Sequence, residues 1–145
     1  MAFEIIEKDL DGKGNIRAFV IDGSSDFMAL SFYKNIYPEI SHLDVFNNNL
    51  LKMCVETILD CEYEQMLFLD KIEIKEEYRG MGLAKKAIAD LFDEYSVEFS
   101  LLIASPIDEE ESGLDVDALV SFYESLGYSK MYELDLDMGH LMCFV

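Results

Sequence analysis

Residues 66 to 104 constrain this chain more than any other stretch. The apolar run Met66 to Ile74 reads as a central strand, and Ala84, Ala87, Ile88, Leu91, Phe92 and Tyr95 form one stripe of a helix from Ala84 to Tyr95. Phe99 to Ala104 is short and continuously apolar, as a second buried strand would be. Two strands joined through one helix lie parallel and side by side, connected by a right-handed crossover. The turn that enters the helix, Arg79-Gly80-Met81-Gly82-Leu83-Ala84, therefore sits at the mouth of a strand-turn-helix unit.

Such a turn has chemistry of its own. The first amides of a helix lack intrahelical partners and carry the positive end of its dipole, so they can hold phosphate oxygens without any side chain. Glycine permits positive φ there and, lacking Cβ, lets a ligand approach the main chain. The N–H groups of Gly80, Met81, Gly82, Leu83, Ala84 and Lys85 would face a pyrophosphate, with Arg79, Lys85 and Lys86 as cations around it. The structural alternative is a turn required only to join strand to helix. The Gly-x-x-x-x-Gly-Lys-Ser/Thr loop of nucleotide triphosphate sites is not present, and the dinucleotide fingerprint needs a third glycine.

The first third reads as an antiparallel meander of three strands, Phe3 to Lys8, Ile16 to Ile21 and Phe27 to Tyr33, with turns at Asp11-Gly12-Lys13-Gly14-Asn15 and Asp22-Gly23-Ser24-Ser25. Helical spacing follows from His42 to Leu59, after Pro38 and a capping Ser41. A charged loop at 108–113 precedes a helix from Asp115 to Leu126 that ends at Gly127, and strands follow over Tyr128 to Leu134 and Leu141 to Val145. All of 1–145 is expected to form one domain.

Thirty acidic against eleven basic side chains give a formal charge of −19, which disfavours nucleic acid as a partner and reads first as a solvated surface, with a field that attracts a cationic substrate such as an amine as the sharper alternative. Cys54, Cys61 and Cys143 form no CxxC pair, so we expect neither a disulfide framework nor a metal site. Apolar runs stay short of the roughly 18 residues of a membrane span, and the first residues do not read as a secretory signal. The expectation is a cytoplasmic protein with no membrane partner.

The glycine turn resembles the acetyl-CoA motif of the Gcn5-related N-acetyltransferase superfamily, Arg/Gln-x-x-Gly-x-Gly/Ala. Phe122-Tyr123-Glu124-Ser125-Leu126-Gly127-Tyr128 resembles the family's later helix end, in the order the family requires. The resemblance covers about 66–128. It implies the α/β (α+β) acyltransferase fold: a mixed, mostly antiparallel sheet with helices on both faces and splayed parallel fourth and fifth strands. It further implies acetyl-CoA as co-substrate, no metal, and an amine acceptor, with a homodimer as one assembly to expect.

By the same resemblance, the backbone of Ile72, Glu73 and Ile74 pairs with the pantetheine arm, and the amides from Gly80 to Lys85 hold the pyrophosphate. Tyr123 would lie near the sulfur, where a phenol can protonate or hydrogen-bond the departing thiolate; packing between helix and sheet is the alternative, and Phe122 is assigned to the core. An ammonium must lose a proton before it attacks, so a base is needed. Asp70 is in a position similar to the catalytic carboxylate of the family's diamine acetyltransferases. Glu73 is the other choice, though alternation turns it away from Ile72 and Ile74 unless a bulge intervenes. His140 is a further base, and Tyr33, Tyr37 and Tyr63 could line an amine pocket, although packing or a surface position explains each as well. A catalytically silent CoA sensor or acidic protein-binding module is the alternative function.

Overall fold

The computed structural model describes residues 2–40, 48–104, 116–133 and 140–144. Strands β1 (Ala2–Asp9) and β2 (Gly14–Asp22) form an antiparallel hairpin in which Ile5 faces Phe19. The expected third strand is a helix. Helix α1 (Ser25–Ser31) runs through a π turn (Phe32–Ile36) into α2 (Tyr37–Ile40). The reason lies in local chemistry and spacing. The Ser24 side chain accepts from the Phe27 amide as an N-cap, and Met28, Phe32, Ile36 and Ile40, four residues apart, are all fully buried. Pro38 follows the π turn, in which the Tyr37 N–H donates to the Phe32 carbonyl. That wider wind is where a helix takes in a residue without an amide hydrogen. Helix α3 (Asn48–Asp60) matches the later part of the expected 42–59 helix, and Ser41 lies outside the described residues.

Strand β3 (Gln65–Ile74), helix α4 (Leu83–Glu94) and strand β4 (Phe99–Ala104) form the expected parallel unit. Helix α5 (Val116–Ser125), β5 (Ser129–Glu133) and β6 (His140–Phe144) complete a sheet of order β1-β2-β3-β4-β6-β5, in which only β3 and β4 are parallel. Because the helix at 25–40 replaces a strand, this splayed pair is third and fourth in the chain, not fourth and fifth. The 108–113 loop lies outside the described residues.

Each face of the sheet buries its own core. Phe19, Ile21, Met66 and Phe68 pack with Met28, Phe32, Leu50, Cys54 and Ile58 from α1, the π turn and α3. On the other face Ala18, Val20, Leu67 and Leu69 meet Ile88 and Leu91 of α4 and Val120 and Tyr123 of α5. Mixed sheet and two-sided helices agree with the expected fold class.

Strand β3 changes phase partway along. Arg17 faces Lys71 while its neighbour Ala18 faces Leu69, so Asp70 is an extra residue, a β-bulge. Before it, Leu67 and Leu69 point to the α4/α5 face; after it, Ile72 does. The parallel ladder with β4 ends at the same place, with Leu69 opposite Leu102. Beyond that point β4 follows β6 as far as Ala104 opposite His140, and β3 follows β2 as far as Ile74 opposite Gly14. The two strands therefore splay. Gly14 is needed for this close pairing, since a Cβ there would run into the Glu73 carbonyl oxygen, and the Lys75 N–H donates to the Lys13 carbonyl at 2.9 Å.

The helical assignment of 25–31 has a direct test. In a strand Leu30 would share a face with Met28 and Phe32; in the helix Leu30 is 51% exposed while the other two are buried. Phe32→Ala should lower unfolding free energy by about 3–5 kcal/mol, and Leu30→Ala by no more than about 0.5 kcal/mol, in urea titrations. Equal losses would argue for a strand.

Candidate functional site

Where the parallel strands part, a cavity of about 930 Å³ opens. Its wall includes Ile72, Glu73 and Ile74 of the β3 edge, the glycine turn from Arg79 to Lys85, and Leu119, Phe122, Tyr123 and Leu126 at α5 and its end. Asp9, Gly14 and Asn15 close it from the β1–β2 hairpin. Among the described residues, β3 from Asp70 to Ile74 has a ladder partner only in β2, so the backbone on its other side is offered to the cavity.

The turn is built for open amides. A 3-10 turn over Glu76–Tyr78 leads the chain off β3, and the Arg79 Nε donates to the Ile74 carbonyl at 2.9 Å, folding the turn back over the strand end. Gly80 and Gly82 have φ of 81° and 76°, the left-handed region that glycine enters without a steric penalty. A Cβ on either would meet nothing within 4 Å, so the space above them is open. Among the described residues, no backbone carbonyl accepts from any amide between Gly80 and Lys85; Lys86, bonded to the Gly82 carbonyl at 3.0 Å, is the first satisfied. These amides at the head of α4 are left open, as the first amides of a helix are.

Of the expected cations Arg79 and Lys85 line the cavity, joined by Lys75, whereas the Lys86 ammonium is paired with Asp90 at 3.0 Å on the next helical turn. Met81 offers only its amide, its side chain being turned to solvent and 68% exposed.

Tyr123 is packed against Phe122 and Tyr128, with ring centroids 5.2 and 6.2 Å away. Among the described residues its hydroxyl has no hydrogen-bond partner, yet no sealed polar atom is left unsatisfied. The hydroxyl therefore opens to the cavity that the residue lines. Burial, with a smaller contribution from the Asp70 charge, pushes the phenol up to about 12, so it is protonated at neutral pH. The neighbouring Tyr128 has a different task, since its hydroxyl is hydrogen-bonded to Ser100 at 2.7 Å in the interior. Phe122, assigned to the core from sequence, is half-buried and forms part of the cavity wall.

The two carboxylates have different surroundings. Asp70 is 12% exposed, does not line the cavity, and accepts from the Arg17 Nη1 at 2.6 Å. Glu73 is 52% exposed, lines the cavity and pairs with Lys71 at 3.1 Å. The bulge puts Ile72 on the α4/α5 face, and Glu73 is still met at the cavity's rim because the strand edge there is open. Arg17, Asp9 and Asn15 were not singled out from sequence. Arg17 is a cation between the apolar Ile16 and Ala18 of a strand, the one signal that could have drawn notice.

The remaining side chains lie elsewhere. Tyr33 is exposed, Tyr37 and Tyr63 pack at the edge of the core on the α1/α3 face, and His140 begins β6; none lines the cavity. Nor does any cysteine. Cys54 is buried, with its thiol pushed up to about 12, which leaves it inert as a nucleophile at neutral pH. Among the described residues no cluster of three or more His, Cys, Asp or Glu is arranged to hold a metal ion, and no helix is long and apolar enough to cross a membrane.

Neither a protein-family model nor a curated protein matches the chain. Solved structures similar to it include a mosquito arylalkylamine N-acetyltransferase like 5b, at 14% identity and a TM-score of 0.47, covering 90% of this chain and 66% of that one. Nourseothricin acetyltransferase is similar at 15% identity and a TM-score of 0.37, with coverage of 55% and 49%. The Thermoplasma acidophilum paia N-acetyltransferase in complex with coenzyme A matches at 9% identity and a TM-score of 0.41, with 99% of each chain covered. The likeness is one of fold. The chain spans less than two thirds of the length of the first two.

Alkaline unfolding reports on the buried phenol. The folded state holds the Tyr123 proton to about 12 while an unfolded tyrosine releases it near 10, so above pH 10 the unfolded chain binds fewer protons and stability falls with pH. Stability from this group is intact below pH 10 and decreases by about 2–3 kcal/mol by pH 12. Tyr123→Phe should flatten that part of the stability curve in urea titrations across this window; an unchanged slope would place the phenol in solvent.

Proposed function

We propose that this protein is an acetyl-CoA-dependent N-acetyltransferase that moves an acetyl group directly to a primary amine. One observation carries the reading: a single cavity runs from unbonded helix amides, along an unpaired strand edge, to a tyrosine hydroxyl. The amides from Gly80 to Lys85, with Lys85 and Arg79, suit the pyrophosphate. The backbone of Ile72 to Ile74 suits the amide-bearing pantetheine arm, which can add to a strand edge as another strand would. The thioester then falls beside Tyr123. Both sequence motifs of the superfamily meet at this cavity.

In this reading Glu73 takes a proton from the incoming ammonium, leaving a neutral amine. The amine nitrogen forms a bond to the thioester carbonyl carbon and the carbon–sulfur bond breaks. Tyr123 donates its hydroxyl hydrogen to the leaving sulfur and is restored by the second proton from nitrogen, so amide, free thiol and one released proton account for every atom. Asp70, held by Arg17 and away from the cavity, takes no proton in this reading. A silent CoA sensor would use the same cradle, and the capture of Asp70 by Arg17 is the observation in its favour.

Acetyl-CoA at about 100 times its dissociation constant should add roughly 2.7 kcal/mol to the stability of the folded protein, visible as a rise in Tm. Gly82→Ala, which puts a methyl group into the open cradle, should reduce that rise. Tyr123→Phe should retain it while cutting turnover of an amine panel by about 100-fold or more. No shift with either acetyl-CoA or CoA would remove the proposal, and a shift without turnover on any amine would select the sensor.

A further inference from the structure

Five of the eleven cations of this chain are neutralised where they stand. Lys8, Arg17, Lys52, Lys71 and Lys86 each pair with a carboxylate, as an excess of acidic side chains would lead one to expect. One corner of the cavity departs from this pattern. Lys75 and Tyr78 line it just past the end of β3, and Lys13 comes against them from the tip of the β1–β2 hairpin. The Lys75 N–H donates to the Lys13 carbonyl at 2.9 Å, and the Lys13 ammonium lies 5.6 Å from the centre of the Tyr78 ring. Among the described residues, neither lysine ammonium has a hydrogen bond or an ion pair to a carboxylate.

An aromatic ring holds an ammonium without cancelling its charge, whereas a carboxylate does both. Lys13 is thus steadied yet still open to an anion, and Lys75 stands beside it through their shared main-chain bond. The nearest carboxylates do not compete. Asp9 accepts from the Gly12 N–H at 2.9 Å, Glu73 is paired with Lys71, and Asp11, Glu76 and Glu77 do not line the cavity. The corner also lies at the end of the strand edge away from the phenol. Leu69 and Ile72 pack in the cluster that holds Tyr123, and Lys75 follows Ile74, whose carbonyl accepts from the Arg79 Nε as the glycine turn folds over the strand end. The α5 side of the cavity, from Leu119 to Leu126, contributes no cation. Resting on the acetyl-CoA reading above, we propose that Lys13 and Lys75 form a subsite for the ribose 3′-phosphate of coenzyme A, so that the protein selects the 3′-phosphorylated cofactor over its dephosphorylated form. That group is a phosphomonoester, with about −1.5 to −2 charges at neutral pH. It gains more from two point charges than the pyrophosphate does, whose oxygens already have the amides of the turn.

Calorimetric titration of the whole protein with coenzyme A and with 3′-dephospho-coenzyme A reads this without turnover. The wild-type protein should bind coenzyme A about tenfold more tightly than the dephosphorylated form. Lys13→Gln combined with Lys75→Gln should weaken coenzyme A by that factor and leave dephospho-coenzyme A within about twofold of its wild-type affinity, so that the two ligands become equal. Lys13→Arg combined with Lys75→Arg keeps both charges and should retain most of the preference. Lys85→Gln, at the turn, should weaken both ligands alike. Added salt should narrow the wild-type preference and leave the glutamine pair unaffected in this respect. Equal affinities in the wild-type protein overturn the proposal and leave the acetyl-CoA reading standing. So does a glutamine pair that weakens both ligands by the same factor, which would assign the two lysines to the pyrophosphate. Binding of neither ligand removes the acetyl-CoA reading, and the subsite with it.

Discussion

The extra residue at Asp70 is the constraint on which the rest of the site depends. Had β3 kept its alternation, Lys71 and Glu73 would have continued the row of Leu67 and Leu69 toward α4 and α5, and Ile72 would have faced the opposite way. Two charges would have entered an apolar cluster. The bulge moves Ile72 onto that face instead and ends the ladder with β4 at Leu69 and Leu102. A single inserted position thus sets both the lining of the cavity and the opening that makes it. Bulges raise local twist and bend the strand, which is why β3 leaves β4 here and stays with β2.

A chain with a formal charge of −19 is an unpromising host for a polyanion, and in the acetyl-CoA reading proposed above the main chain meets that conflict. Surface charges act through water and are screened over about 8–10 Å. Backbone amides at a helix start act at hydrogen-bond distance and carry no net charge that neighbouring carboxylates could neutralise. In that reading the turn relies on the six N–H groups from Gly80 to Lys85, unbonded among the described residues, more than on lysines, one of which, Lys86, is paired with Asp90. Acidic residues elsewhere remain free to shape the field met by a cation.

Much of this was legible in sequence, for reasons that can be named. From Met66 to Ala104 each segment carries one unambiguous period, and the glycines lie where a turn needs positive φ, so the strand, the turn, the helix and the following strand could be read within a residue or so. Phe27 to Tyr33 was different. Its apolar run fits either period over a short window, and the deciding signals, the Ser24 cap and the four-residue recurrence of Met28, Phe32, Ile36 and Ile40, extend beyond the run that looked like a strand. The bulge was not legible because alternation is broken by one polar residue that a regular strand could also carry. Arg17 was missed because its meaning is entirely tertiary: its partners Glu7, Glu39 and Asp70 come from three other elements.

The surroundings of Tyr123 decide what it can do. A phenol pushed up to about 12 by burial is a poor base and a poor complete acid at neutral pH, but it is always present as a hydrogen-bond donor. That is the property required where negative charge develops on a departing atom and must be met without reorganisation of solvent. Its packing between Phe122 and Tyr128 fixes the ring while the hydroxyl stays open to the cavity. Proton removal from the acceptor is better served by a carboxylate at the wet rim, as Glu73 is, than by one locked beneath the strand. In the proposed reaction the division of labour follows from depth: Tyr123 lies in the apolar wall and Glu73 at the mouth, and the bulge is what lets β3 turn Ile72 to the wall while Glu73 stays at the rim.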